Sequence, residues 1–226
     1  MRNIYILIST TPTKFGALIR CVGKVKYNHA AIALDKDLKH LYAFARGKHS
    51  NLLSGRLVKE SLSRYTLRFR YKVDCIVFEI PVTNHEYNTI KALISEIYQD
   101  KTYIYNLFSV LSFPILHGFS TYNAFSCIEF VMFILKYLTN TPVPDKAPCH
   151  YTPDELTTVL NDYIVYSGDL KTYMMTATSA ASADTESVQP DDYFSPLTIQ
   201  DVRTNISVVY QLFYRLVSKI GKHSAY

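Results

Sequence analysis

The sequence predicts an α+β fold, and three observations predict it. Short runs rich in β-branched and aromatic residues, bounded by turn residues, recur through the first eighty positions. Thr83 with Glu86 and Ser126 with Glu129 form capping boxes that open apolar-periodic segments. Finally, 48% hydrophobic against 19% charged residues in a chain of 226 supports one domain of ordinary size, or one domain with an appendage.

Residues 3–9 read as a buried strand stopped by Thr10-Thr11-Pro12, with a short helical stretch over 15–22 behind it. Residues 28–34 and 41–46 read as two strands joined across the turn Asp35-Lys36-Asp37. A longer strand over 71–82 places Val73, Cys75, Val77 and Glu79 on one side. The clearest helix follows, with Tyr87, Ile90, Leu93, Ile94, Ile97 and Tyr98 at helical spacing. Ser126 and Glu129 then put Cys127 at the first position of a helix that is apolar all round, hence buried. Thr152-Pro153 starts a further helix, and residues 162–167 close with a strand.

Composition changes after Tyr173. Residues 174–202 hold five acids and no Lys or Arg, and are expected to be a flexible acidic linker. Residues 203–226 then form an amphipathic C-terminal helix, with Ile206, Val209, Phe213, Leu216, Val217 and Ile220 on its apolar face. Through residues 203–222 that helix can dock on its own domain, pair with a second copy, or lie on an anionic membrane surface. Deleting 174–226 is expected to leave a folded domain.

A net charge of +5 without a dense Lys/Arg cluster argues against nucleic acid as a partner. The opening apolar run is too short for a signal peptide, and no stretch reaches the ~20 residues of a spanning helix, so the expected location is cytoplasmic. Cys21, Cys75, Cys127 and Cys149 show no metal-site spacing and are expected to be free thiols. The adjacent Cys149-His150 lacks further ligands and reads as structural, so neither metal nor organic cofactor is expected.

Cys127 is the candidate nucleophile. A thiol at a helix start sees the positive end of the macrodipole, which favours the thiolate, and unpaired N–H groups there can hold an oxyanion. Its base must sit on a rigid element, and His29, opening a strand, is the histidine so placed. The alternative for each is an inert core residue.

Four segments occur in order: Asn28-His29-Ala-Ala-Ile-Ala-Leu-Asp35, Leu41-Tyr42-Ala-Phe44-Ala-Arg46, Gly55-Arg-Leu-Val-Lys-Glu60 and Phe125-Ser-Cys127-Ile-Glu-Phe130-Val131. This pattern, covering residues 1–173, resembles the permuted papain-like NlpC/P60 superfamily, near the YaeF/YiiX-type amidases, in which the histidine strand precedes the cysteine helix. The resemblance implies an antiparallel sheet packed on the cysteine helix. It also implies a Cys127 nucleophile, a His29 base and a third residue orienting the imidazole. Glu60 is the expected third member, with His40 and Asp35 as rivals. A cysteine hydrolase (amidase or peptidase) or acyltransferase on an amide- or ester-containing substrate is expected, working through a thioester. The alternatives are a membrane-associated lipid acyl enzyme and a non-catalytic module that keeps the fold.

Overall fold

The apolar run at the start of the chain becomes β1 (Arg2–Ser9), whose residues 4–9 are all buried. The computed structural model describes residues 1–141, 146–179 and 192–223. After β1 come α1 (Lys14–Gly23), β2 (His29–Ala33), β3 (Leu41–Arg46), β4 (Gly55–Lys59), α2 (Leu62–Tyr65), β5 (Asp74–Val82) and α3 (Asn84–Gln99). The second half holds β6 (Ile104–Tyr105), α4 (Leu107–Leu116), β7 (Ala124–Phe125), α5 (Cys127–Leu135), α6 (Pro153–Val159), β8 (Ile164–Asp169), α7 (Leu170–Ser179) and α8 (Ile199–His223).

The fold is α+β. Six strands form one antiparallel sheet in the order β4-β3-β2-β1-β5-β8, and β6 pairs with β7 in a small parallel ribbon. Both faces of the large sheet are covered, which is why β1 reads as a continuous apolar run and not as an alternation. Ile4, Ile6, Ile8, Ile32, Phe44, Phe78 and Ile80 meet Ile90 and Ile94 of α3 and Phe130, Val131 and Ile134 of α5. On the other face Leu7, Ala31, Ala33, Leu41 and Val77 meet Tyr65 of α2 and Leu170 and Tyr173 of α7.

Some elements depart from expectation. The segment 55–59, noticed only as a motif, is a strand in full register with β3, from Tyr42↔Lys59 to Arg46↔Gly55. Gly55 is required there, since a Cβ would lie 2.8 Å from the Ala45 carbonyl oxygen and 2.7 Å from the Tyr105 Cβ. The closing strand is displaced to 164–169 and pairs with β5.

The boundaries of the tail are also corrected. Helix α7 runs through the expected boundary at 173 and on to Ser179, because Leu170 and Tyr173 anchor it against the sheet. Within the stretch expected to be linker, Asp192–Phe194 form a 3-10 turn and α8 already begins at Ile199. Residues 180–191, the centre of the expected linker, and residues 224–226 lie outside the described residues. Helix α8 buries Val208 and Leu212 in the main core, whereas Ile206, Phe213 and Val217 of the expected apolar face are exposed. Arg215 donates to the carbonyls of Tyr122, Asn123 and Thr102. The helix therefore docks on its own domain. Among the described residues no helix is long and apolar enough to cross a membrane.

Candidate active site

Helix α5 starts where its capping box fixes it. The Ser126 hydroxyl accepts from the Glu129 N–H (3.3 Å), and the Glu129 carboxylate accepts from the Ser126 N–H (2.7 Å). Cys127 is thereby locked at the first helical position, and it is buried. The N–H groups of Cys127 and Ile128 have no carbonyl within their own helix to bond. Burial pushes the Glu129 carboxyl up to about 7, against the bonds it accepts from Ser126 and Asn106.

His29 opens β2, and the chain leading to it is pinned from two sides. Asp154, at the start of α6, accepts from the Lys26 N–H (2.7 Å) and the Tyr27 N–H (2.8 Å). The Asn28 side chain accepts from the Thr11 N–H (3.0 Å) and donates to the Thr11 hydroxyl (2.7 Å). The helix start at 152–155, read from sequence only as an element boundary, thus holds the histidine strand in place.

The His29 side chain, 12% exposed, lies within the electrostatic reach of Cys127 and forms an ion pair between Nε2 and the Glu60 Oε1 at 3.7 Å. Burial alone would lower the imidazole pKa. The Cys127 sulfur and the Glu60 carboxylate outweigh it and raise His29 to about 10. Glu60 follows β4 and is itself buried. Burial would raise its carboxyl, but the Arg64 guanidinium, whose Nε donates to Oε2 at 3.3 Å, and His29 hold it below the ordinary carboxylate range. A buried row results: Cys127, His29, Glu60, Arg64.

The rivals for the third position stand elsewhere. Asp35 lies past the opposite end of β2, and its Oδ2 pairs with Nδ1 of His40 at 2.6 Å. Cys75 is the second residue of β5, its thiol pushed up to about 12, chiefly by burial. Cys149 packs in the core and His150 meets the carbonyl oxygen of His117 through Nδ1. Among the described residues no three His, Cys, Asp or Glu side chains converge as a metal site would require.

Two cavities flank the row. A smaller one of about 60 Å³ has a mixed lining that includes Thr11, Asn28, His29, Glu60, Arg64 and Tyr193 beside Phe15 and Phe44. An apolar one of about 180 Å³ opens beside Cys127 between α1 and α4, lined by Leu18, Val22, Val110, Leu111, Phe113 and Pro114. At its mouth Leu18, Val22 and Leu111 are exposed.

Sequence reasoning missed Arg64, Tyr65 and Tyr193. The spacing of Glu60 and Arg64, four apart, was the available signal for the first. The Tyr65 ring lies 5.6 Å from the His29 ring, tilted at 55° to it, and its buried hydroxyl has no hydrogen-bond partner among the described residues. Nothing in the local sequence marks Tyr193, which arrives from the far end of the chain. No protein-family model matches this chain, and neither a curated protein nor a solved structure matches it.

Proposed function

We propose that the chain is a permuted papain-like thiol hydrolase or acyltransferase of NlpC/P60 type, acting on an amide or ester through a Cys127 thioester. The observation that carries this reading is the row in which His29 is ion-paired with Glu60 and is raised to about 10 by the neighbouring Cys127 sulfur and Glu60 carboxylate. His29 takes the proton of the Cys127 thiol and becomes an imidazolium, the form that a pKa raised to about 10 favours at neutral pH. The thiolate attacks the acyl carbon and a C–S bond forms. The first-turn N–H groups of α5 bind the oxyanion. His29 gives its proton to the leaving amine or alkoxide as the carbon–heteroatom bond breaks. It then takes a proton from water, or from an acceptor nucleophile, as the thioester is resolved. Glu60 keeps the imidazolium oriented and charged. We place this chemistry in the cytoplasm, where the four free cysteines stay reduced.

A second reading concerns the acyl group. The cavity beside Cys127 is walled by aliphatic and aromatic side chains with exposed apolar residues at its mouth, which favours a lipid acyl chain over a polar peptide. Labelling with a panel of acyl and peptidyl electrophiles, followed by peptide mapping, tests both readings. Adducts confined to Cys127 support the enzyme, and a preference for long acyl probes supports the lipid substrate. A protein that no electrophile acylates at Cys127 is a binding module with this fold.

A further inference from the structure

Residues 192–201 return from the far end of the chain to the smaller cavity, which Tyr193 helps to line. Tyr193 is buried there, and its ring lies 4.1 Å from the Arg64 guanidinium carbon. Its carbonyl accepts from the His49 N–H at 2.7 Å, and its ring meets the His49 ring edge-on. Phe194 covers Arg68 in the same way at 4.5 Å. Behind them the Lys48 Nζ donates to Asp201 at 2.8 Å and to the Pro196 carbonyl at 3.4 Å. The C-terminal segment is thus clamped to the β3–β4 connection, and its single inward aromatic ring covers the outer end of the Cys127–His29–Glu60–Arg64 row.

From this geometry we infer that Tyr193 is a positioning residue, through which the C-terminal segment completes the active site in cis. The inference rests on the thiol chemistry proposed above. A guanidinium held under an aromatic face is attracted by the ring and shielded from water. Arg64 so held cannot swing out, and it keeps Glu60 fixed with one oxygen toward His29. Excluding water also strengthens each charge–charge contact along the row. Without the ring, water reaches Arg64, the carboxylate is less firmly held, and the imidazolium loses support. The titratable or charged groups facing His29 are Cys127 from α5, Glu60 after β4 and Tyr65 from α2, with Arg64 acting through Glu60. Tyr193 touches none of the reacting atoms; its effect passes through Arg64.

The test uses the full chain, with iodoacetamide as the probe and exposed Cys21 as internal reference. Tyr193→Phe keeps the ring and should match wild type. Tyr193→Leu keeps bulk without the π face and should slow Cys127 alkylation at pH 7 by about tenfold. It should also move the alkaline inflection of the rate-against-pH curve, near 10 for wild type, toward 6.5. Lys48→Met, which releases the clamp away from the row, should act in the same direction. A Tyr193→Leu protein that melts like wild type and keeps its rate and pH curve overturns the inference. If Tyr193→Leu does not fold, Lys48→Met decides in the same terms. A wild-type Cys127 that reacts no faster than Cys21 removes the site reading and this inference together, whereas a fast wild type indifferent to Tyr193 and Lys48 removes the inference alone.

Discussion

At the scale of single residues, Glu60 does two jobs that can be separated. It supports the His29 imidazolium, and it neutralises Arg64, which is 8% exposed. Glu60→Gln should therefore slow turnover by up to about 10⁴-fold, as removal of an orienting carboxylate can. It should also cost about 3–5 kcal/mol of stability, because a buried guanidinium is left without its counter-charge. Adding Arg64→Met should recover much of the stability and none of the turnover. Chemical denaturation beside single-turnover kinetics on the single and double variants checks both halves. Tyr65 makes the opposite case, since its buried hydroxyl is unpartnered among the described residues. Tyr65→Phe should leave stability unchanged or raise it by up to about 1 kcal/mol, and a fall in the denaturation midpoint would show that the hydroxyl is bonded in solution. Of these residues, Cys127 and His29 were legible in the sequence because each opens an element that a local pattern marks. A Ser-x-x-Glu box fixes the helix start, and the apolar run behind His29 marks a strand. The approach of Glu60 to His29 depends on how the sheet brings β2 and the end of β4 together, and no local pattern encodes that.

At the scale of elements, the helices carry their own start signals, and the packing then uses them twice. Glu86 caps α3 through the Thr83 N–H (2.7 Å) and also accepts from the Thr139 N–H and hydroxyl (2.8 Å each), tying α3 to the chain after α5. The Thr83 and Thr139 N–H groups hold its carboxyl down at about 2. A carboxyl held below its unfolded value of 4.5 contributes stability above that pH, and the contribution is lost as pH falls toward 2. Glu86→Ala should cost about 1–3 kcal/mol at pH 7, with wild type and variant converging as the pH drops from 4.5 toward 2. Melting curves across that range test it, and a gap that stays constant with pH would mean the carboxylate charge is not what matters. The capping half of this arrangement was readable from Thr83-x-x-Glu86, but the tie to Thr139 was not, because those residues lie 53 positions apart. Strand β4 went unread for a similar reason. Its alternation is short, and its pairing with β3 is a long-range fact.

At the scale of the whole molecule, the tail is where sequence and structure part most. A run of small and acidic residues reads as linker, and it concealed that both of its flanks are anchored. Tyr173 of α7 packs against the sheet, while Val208 and Leu212 enter the main core. Burying two such aliphatic side chains contributes about 1.5–3 kcal/mol each, a large share of the ~5–15 kcal/mol that holds a domain together. A chain ending at Ser179 should therefore melt well below the full-length protein, or aggregate, and equal melting temperatures would show α8 to be dispensable. The central claim concerns Cys127 and His29 as a pair, and it is tested most directly by iodoacetamide alkylation of the folded protein, read by peptide mass spectrometry at pH 7. Although Cys127 is buried and Cys21 is exposed, Cys127 should react faster, and His29→Ala should slow it by about 10²-fold or more while Cys21 keeps its rate. A Cys127 that reacts no faster than Cys21, or that keeps its rate without His29, would contradict the account.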